Sequence, residues 1–143
     1  MSRRITGRVL LFDGDKLLLF KRRRFLPLKL KWRQYYSIPG GGILPGELPD
    51  AAARRELKEE LGLTVELDRE VAVSRNRRYE HHLFLGRITE GQPIWQVDAE
   101  ENRYISKYNT YEVVWCPVGE LTAARLSYYA DFLPAIQQVA AGN

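Results

Sequence analysis

Gly41-Gly42-Ile43-Leu44-Pro45-Gly46-Glu47-Leu48-Pro49-Asp50-Ala51-Ala52-Ala53-Arg54-Arg55-Glu56-Leu57-Lys58-Glu59-Glu60-Leu61-Gly62-Leu63 is the stretch that decides the fold. Pro49 to Leu61 reads as a helix. Pro49 suits a first turn, Ala51, Ala52 and Ala53 are strong helix formers, and Gly62 stands where a helix stops. Leu48 is a poor N-cap, so the start is signalled by the proline rather than by a capping side chain. On that helix Glu56, Glu59 and Glu60 stand at i, i+3 and i+4, which gathers three carboxylates on one side. Like charges at this spacing cost about a few tenths of a kcal/mol each in an isolated helix. A divalent cation would offset that cost, and hard carboxylate oxygens suit Mg²⁺ or Mn²⁺ better than zinc. Leu57 and Leu61, four apart, are expected to face a sheet. Arg55 is placed to reach back to Glu47 and hold the glycine-rich loop against the helix.

The segment resembles the Nudix box. Gly41 is followed after five residues by Glu47, and after seven more by Arg55-Glu56-Leu57-Lys58-Glu59-Glu60-Leu61-Gly62-Leu63, which agrees with each fixed position of the motif. Ile38-Pro39-Gly40-Gly41 is similar to the strand and turn that precede the box. Val114-Trp115-Cys116-Pro117 with Glu120-Leu121 looks like the family's late strand and turn. The resemblance implies an α/β fold: an α/β/α sandwich with a mixed β-sheet and a loop-helix-loop motif. It also implies metal-dependent hydrolysis of a nucleoside diphosphate linked to a further group. By the same resemblance Glu56, Glu59 and Glu60 bind the cation, with the Gly41 carbonyl as a further ligand. Arg55 and Glu47 then form an orienting ion pair. Leu44 departs from the family, which often carries Glu at that position. Glu59 is the first choice of general base. Glu100, Glu101 and Glu112 are the candidates outside the box, with Glu112 preferred because of its strand.

Working outward, Arg8 to Phe12 and Lys16 to Phe20 flank Asp13-Gly14-Asp15 and are expected to pair as a hairpin. A basic loop follows, then a short strand from Tyr35 to Ile38. Val65 to Val73, Tyr79 to Ile88 and Tyr111 to Trp115 read as further strands. Leu126 to Val139 carries Tyr129, Phe132, Leu133, Ile136 and Val139 at helical spacing, so a C-terminal amphipathic helix is expected. Cys116 is expected to pack in a buried strand.

The net charge of +4 is local: Lys21 to Arg33 holds seven cations and no acid, and without them 15 basic residues stand against 18 acidic. Such a patch points to phosphates more than to a surface that coats nucleic acid. If Lys21 to Arg24 continue the second strand, alternation sets Arg22 and Arg24 on one face and Lys21 and Arg23 on the other. Arg22 and Arg24 are therefore candidate phosphate ligands. His82 is a further candidate, and Tyr79, Tyr36 and Trp95 are candidates for base stacking.

With 143 residues the chain fits a single domain, 1–143, and one Cys excludes an intrachain disulfide and a four-thiolate zinc site. The apolar stretch behind the basic N-terminus breaks too soon for a signal peptide, and no run is long enough for a membrane span. A cytoplasmic enzyme without membrane attachment is expected. The expected substrate is a nucleoside di- or triphosphate. A dinucleoside polyphosphate is the alternative, because Tyr79 resembles a marker of such hydrolases. Capped or 5′-triphosphate RNA, a homodimer and a non-catalytic nucleotide sensor stay open at this stage.

Overall fold

The computed structural model describes residues 2–96 and 109–142. Its strands are β1 (Arg4–Leu10), β2 (Phe12–Asp13), β3 (Lys16–Leu26), β4 (Lys31–Ser37), β5 (Gly40–Gly42), β6 (Thr64–Arg75), β7 (Tyr79–Glu90) and β8 (Asn109–Pro117). Its helices are α1 (Pro49–Leu61), α2 (Ala123–Leu126) and α3 (Leu133–Gly142). Leu17, Leu18, Leu19 and Phe20 are all buried, so both faces of β3 are covered at that point. Leu18 and Phe20 pack with Val9 and Phe84 against Ala53, Leu57 and Leu61 of α1. Leu17 and Leu19 pack with Leu10 and Leu83 against Leu126, Phe132 and Ile136 of the C-terminal segment. Strand alternation thus feeds two apolar clusters from one layer of strands. The architecture is an α/β/α sandwich.

The strands form a mixed sheet in the order β5-β1-β7-β6, in which β1 and β7 run parallel, and an antiparallel sheet in which β3 pairs β2, β4 and β8. Helix α1 matches its expected limits. Leu48 contributes no side-chain cap, and the first backbone bond runs from Ala52 N to Leu48 O at 3.0 Å. Gly62 adopts φ +69, and its N donates back to Lys58 O at 3.0 Å, the bond that ends a helix through a left-handed glycine. Leu57 and Leu61 are fully buried, each contributing about 1.5–3 kcal/mol.

Three expectations are corrected. The Asp13-Gly14-Asp15 turn exists, but only Phe12 and Asp13 pair with β3 across it. Arg8 to Leu10 belong instead to β1, which pairs in parallel with β7 over Arg4 to Leu10. The basic stretch is no loop: β3 runs on to Leu26, Pro27–Lys29 forms a 3-10 turn, and β4 returns beside it. The C-terminal helix is broken, because Ser127 takes φ +54 and Ser127–Phe132 is a 3-10 segment before α3 begins. Pro134, which has no N–H to donate, falls in the first turn of α3, where none is needed. Cys116 is buried in the second cluster as expected, and burial pushes its thiol pKa up. Among the described residues no helix is long and apolar enough to cross a membrane.

Candidate active site

Arg55 organises the loop ahead of α1. Its Nε donates to Glu47 Oε2 at 2.9 Å and its Nη2 to Glu47 Oε1 at 2.9 Å and to Gly42 O at 2.9 Å. Its Nη1 donates to Glu56 Oε1 at 3.0 Å and to Glu59 Oε2 at 3.3 Å. Every one of the five N–H bonds of the guanidinium therefore has an acceptor. Glu47 also accepts from Leu44 N at 3.0 Å, and these bonds hold its carboxyl pKa down at about 2, the Arg55 bond most strongly. The Arg55 pKa is raised chiefly by the Glu47 bond. Loop and helix are thereby tied into one unit through a bidentate, charge-assisted pair.

Behind this tie lies a cleft of about 860 Å³ lined by Glu56, Glu60 and Gly40–Gly42. Glu60 is 3% and Glu56 9% exposed. A Cβ on Gly41 would stand 2.6 Å from Glu56 Cδ, so the glycine leaves room for that carboxylate against the loop backbone. Six arginines line the same cleft: Arg4, Arg8, Arg22, Arg24, Arg55 and Arg78. Arg22 lies over the Tyr111 ring at 4.2 Å and the Tyr35 ring at 5.5 Å, and donates to Asn109 Oδ1 at 3.3 Å. Arg33 stands over Tyr35 and Tyr128, each at 4.9 Å, so rings and guanidiniums alternate along this wall. Arg33 also donates to the Tyr128 hydroxyl at 3.0 Å and to Ser127 Oγ. The broken C-terminal helix is what brings Tyr128 and Tyr129 to the cleft.

The site's strongest recognition feature is now complete: residues 1–136 match the family model described as NUDIX domain. The chain belongs to the NUDIX family. A Bacillus subtilis (strain 168) protein provisionally named as an 8-oxo-dGTP diphosphatase is 36% identical over 88 residues, 60% of this chain and 54% of that protein. Diphosphoinositol polyphosphate phosphohydrolase 3-alpha of Mus musculus is 37% identical over 85 residues, 57% of this chain and 48% of that protein. The chain thus spans about half the length of the relatives it matches in sequence. A NUDIX hydrolase from Nitrosomonas europaea shares the fold with a TM-score of 0.69 at 18% identity, covering 99% of this chain and 90% of that one. An ADP-ribose pyrophosphatase from Streptococcus suis 89-1591 shares it with a TM-score of 0.62 at 20% identity, covering 97% and 92%.

Within the Nudix domain the residues singled out by sequence reach different places. Gly41, Glu56 and Glu60 meet at the cleft, as do Arg22, Arg24 and Tyr79. Glu59 stands at the rim with its side chain 51% exposed and paired to Arg55. The helical period explains this: Glu59 and Glu60 are separated by roughly 100° around the axis, so only one of them points inward with Glu56. The structure does not bring Glu112 to the carboxylates. It pairs with Lys21 while its neighbour Tyr111 pairs with Arg22, and alternation turns Tyr111 to the cleft and Glu112 away. Glu100 and Glu101 lie outside the described residues.

His82 is not in the cleft either. It shares the Phe84 face of β7, where Glu70 and Glu80 hold its ring nitrogens at 3.0 Å and 2.8 Å. His81 is one of several cleft residues that sequence reasoning missed, with Arg4, Thr6 and Arg8 among the others, although alternation with Leu83 would have placed it beside Tyr79. It is 4% exposed, stacks on Tyr79 at 5.1 Å, and its Nδ1 shares a hydrogen bond with Thr6 Oγ1 at 2.6 Å. Burial, then the charges of Arg8 and Arg4, lower its pKa to about 4. Trp95 packs against Phe20 and Tyr111, and Tyr36 against the second apolar cluster, so neither lines the cleft.

The donor set fits a hard divalent cation. Among the described residues no three His, Cys, Asp or Glu side chains form a ready cage. Mg²⁺ is commonly held by one or two carboxylates plus substrate phosphates and water rather than by such a cage. Glu56 and Glu60, two buried carboxylates beside the open backbone of Gly41, meet that requirement.

Proposed function

We propose that the chain is a cytoplasmic, divalent-cation-dependent pyrophosphohydrolase acting on a nucleoside di- or triphosphate. The observation that carries this reading is the pair of buried carboxylates, Glu56 and Glu60, in a cleft where six arginines gather. A divalent cation offsets the repulsion between two neighbouring buried acids, clustered arginines suit phosphates, and a cation-bound pyrophosphate group fits between the two. The sequence relative provisionally named an 8-oxo-dGTP diphosphatase supports the triphosphate. A second reading, a dinucleoside polyphosphate, is favoured by the arginine excess and by the Tyr79 ring at the cleft.

Glu56 and Glu60, with the Gly41 carbonyl, would hold Mg²⁺ or Mn²⁺. The bound cation supplies neutralisation of phosphate charge and lowers the pKa of water. Arg55 orients Glu56 and keeps the glycine turn in place. Arg22 and Arg24 bind phosphate oxygens. Glu59, the carboxylate that meets solvent, takes the proton of the attacking water, with Arg55 fixing its Oε2. Tyr79 offers its ring to a base.

The test is nucleotide turnover across a panel of substrates with Mg²⁺ and again with EDTA. Wild type should turn over in Mg²⁺ and stop in EDTA, and Glu60→Gln should lose at least about 100-fold in kcat while keeping its circular dichroism. Nucleoside monophosphate plus pyrophosphate would identify the triphosphate reading, and two mononucleotides the dinucleotide one. Metal-independent turnover, or full activity in Glu60→Gln, would refute the proposal.

A further inference from the structure

Thr6, flanked at i±2 by Arg4 and Arg8, occupies one face of β1, and all three line the cleft. The glycine strand β5 beside them has two differently furnished faces. A Cβ on Gly41 would meet Glu56, whereas one on Gly40 would stand 3.0 Å from Arg8 Cγ and one on Gly42 would stand 3.1 Å from Arg4 Nε. Alternation along β5 therefore puts the carboxylate on one side and the two arginines on the other. Arg78 joins them at the turn into β7, where its carbonyl accepts from Arg4 N at 2.7 Å.

Among the described residues these arginines differ from the ion-paired ones and share the lack of a carboxylate partner with Arg22, Arg24 and Arg33. Arg54, Arg55, Arg69, Arg75 and Arg87 each pair with a carboxylate. Among the described residues Arg4, Arg8 and Arg78 make no ion pair. Arg8 lies over the Tyr129 ring at 4.7 Å and its Nη1 donates to Ile38 O at 2.8 Å, which fixes the guanidinium. Its Nε is buried and has no hydrogen-bond partner. A fixed cation with a buried, unanswered donor is costly unless an anion completes it. The neighbouring carboxylates cannot do so, because they lie across β5.

We propose that Arg4, Arg8 and Arg78 form a second anion subsite that receives a phosphate beyond the hydrolysed pyrophosphate, so that the preferred substrate carries an additional phosphate group. The subsite rests on the pyrophosphohydrolase reading for its part in turnover, but its affinity for phosphate does not depend on it.

The first arm of the test is therefore metal-free. Inorganic tripolyphosphate is titrated in EDTA into wild type, Arg8→Gln, Arg78→Gln and Arg77→Gln, the last altering an exposed arginine of the same turn that does not line the cleft. Loss of about 10-fold or more in affinity is expected for Arg8→Gln and Arg78→Gln, with Arg77→Gln close to wild type. Arg78 is exposed, so its variant tests the idea even if Arg8→Gln folds poorly. The second arm compares kcat/KM for diadenosine tetraphosphate with that for ADP-ribose, and the ratio should fall about 10-fold in Arg78→Gln. Unchanged binding, equal loss in Arg77→Gln, or an unchanged ratio would overturn the subsite. Absence of turnover on every nucleotide would instead sink the enzymatic reading and leave the binding arm to decide this one.

Discussion

Arg55 and Arg22 line the same cleft and are built in opposite ways. All the donors of Arg55 are answered by Glu47, Gly42, Glu56 and Glu59. Arg22 is steadied by the faces of Tyr111 and Tyr35 and by Asn109, while its buried Nε has no acceptor. A guanidinium spent on the protein's own oxygens positions neighbouring groups. One held by rings keeps donor capacity for something that arrives. The contrast separates the architecture of the site from its capacity to bind.

The sharpest way to break that contrast is Arg55→Lys. An ammonium cannot reproduce the fork to Glu47, so kcat should fall by about 10- to 100-fold and the thermal midpoint should drop with it. Recovery of both in the Lys variant would show that charge alone suffices. A smaller effect is expected for Arg22→Met, where stability should stay within about 0.5 kcal/mol of wild type or exceed it, since a buried unanswered donor is removed. Its KM should nevertheless rise about 10-fold. A large loss in urea stability would place Arg22 with Arg55 as a structural residue.

The smallest effect is a pH signature in two windows, one from the burial of His81 beside Arg8 and Arg4 and one from the Arg55 bond to Glu47. His81 has a folded pKa of about 4 against an ordinary 6.5, so between those values the unfolded chain binds more protons than the native one. Stability should decline as pH falls from 6.5 towards 4, and show no His81 contribution above 6.5. Glu47, held down to about 2 by Arg55 and Leu44 N, contributes stability that is lost only as pH falls from about 4.5 towards 2. Urea unfolding of His81→Gln should flatten the upper window and leave the lower one. If both windows persist unchanged, burial of His81 does not govern acid stability.

Local chemistry made α1 legible: proline at its start, alanines, glycine at its end and leucines four apart all act within a few residues. The Glu47–Arg55 tie was legible for the same reason. What escaped depends on distant partners. The Asp13-Gly14-Asp15 turn says nothing of β7, whose strand claims Arg4 to Leu10 from some seventy residues away. The helical spacing of Tyr129, Phe132 and Ile136 is genuine, yet Arg33 and Arg8 draw Tyr128 and Tyr129 to the cleft across a break at Ser127. Glu112 is an acid in a suitable segment, but the parity along its strand turns it away from the cleft. His81 required only that parity, read one residue earlier.

That parity has a consequence for β3. Its first half is locked by Leu17 to Phe20, which divide between two apolar clusters and cannot exchange places. Its second half carries Arg22 and Arg24 into the cleft and Lys21 and Arg23 away from it. The leucines therefore act as a ruler for the arginines. A slip of one residue, or a single insertion between Phe20 and Arg22, would invert the polarity of the wall while leaving the composition of the strand untouched. The orientation of the cleft-facing arginines is in this way set by leucines buried in the core, away from the cleft.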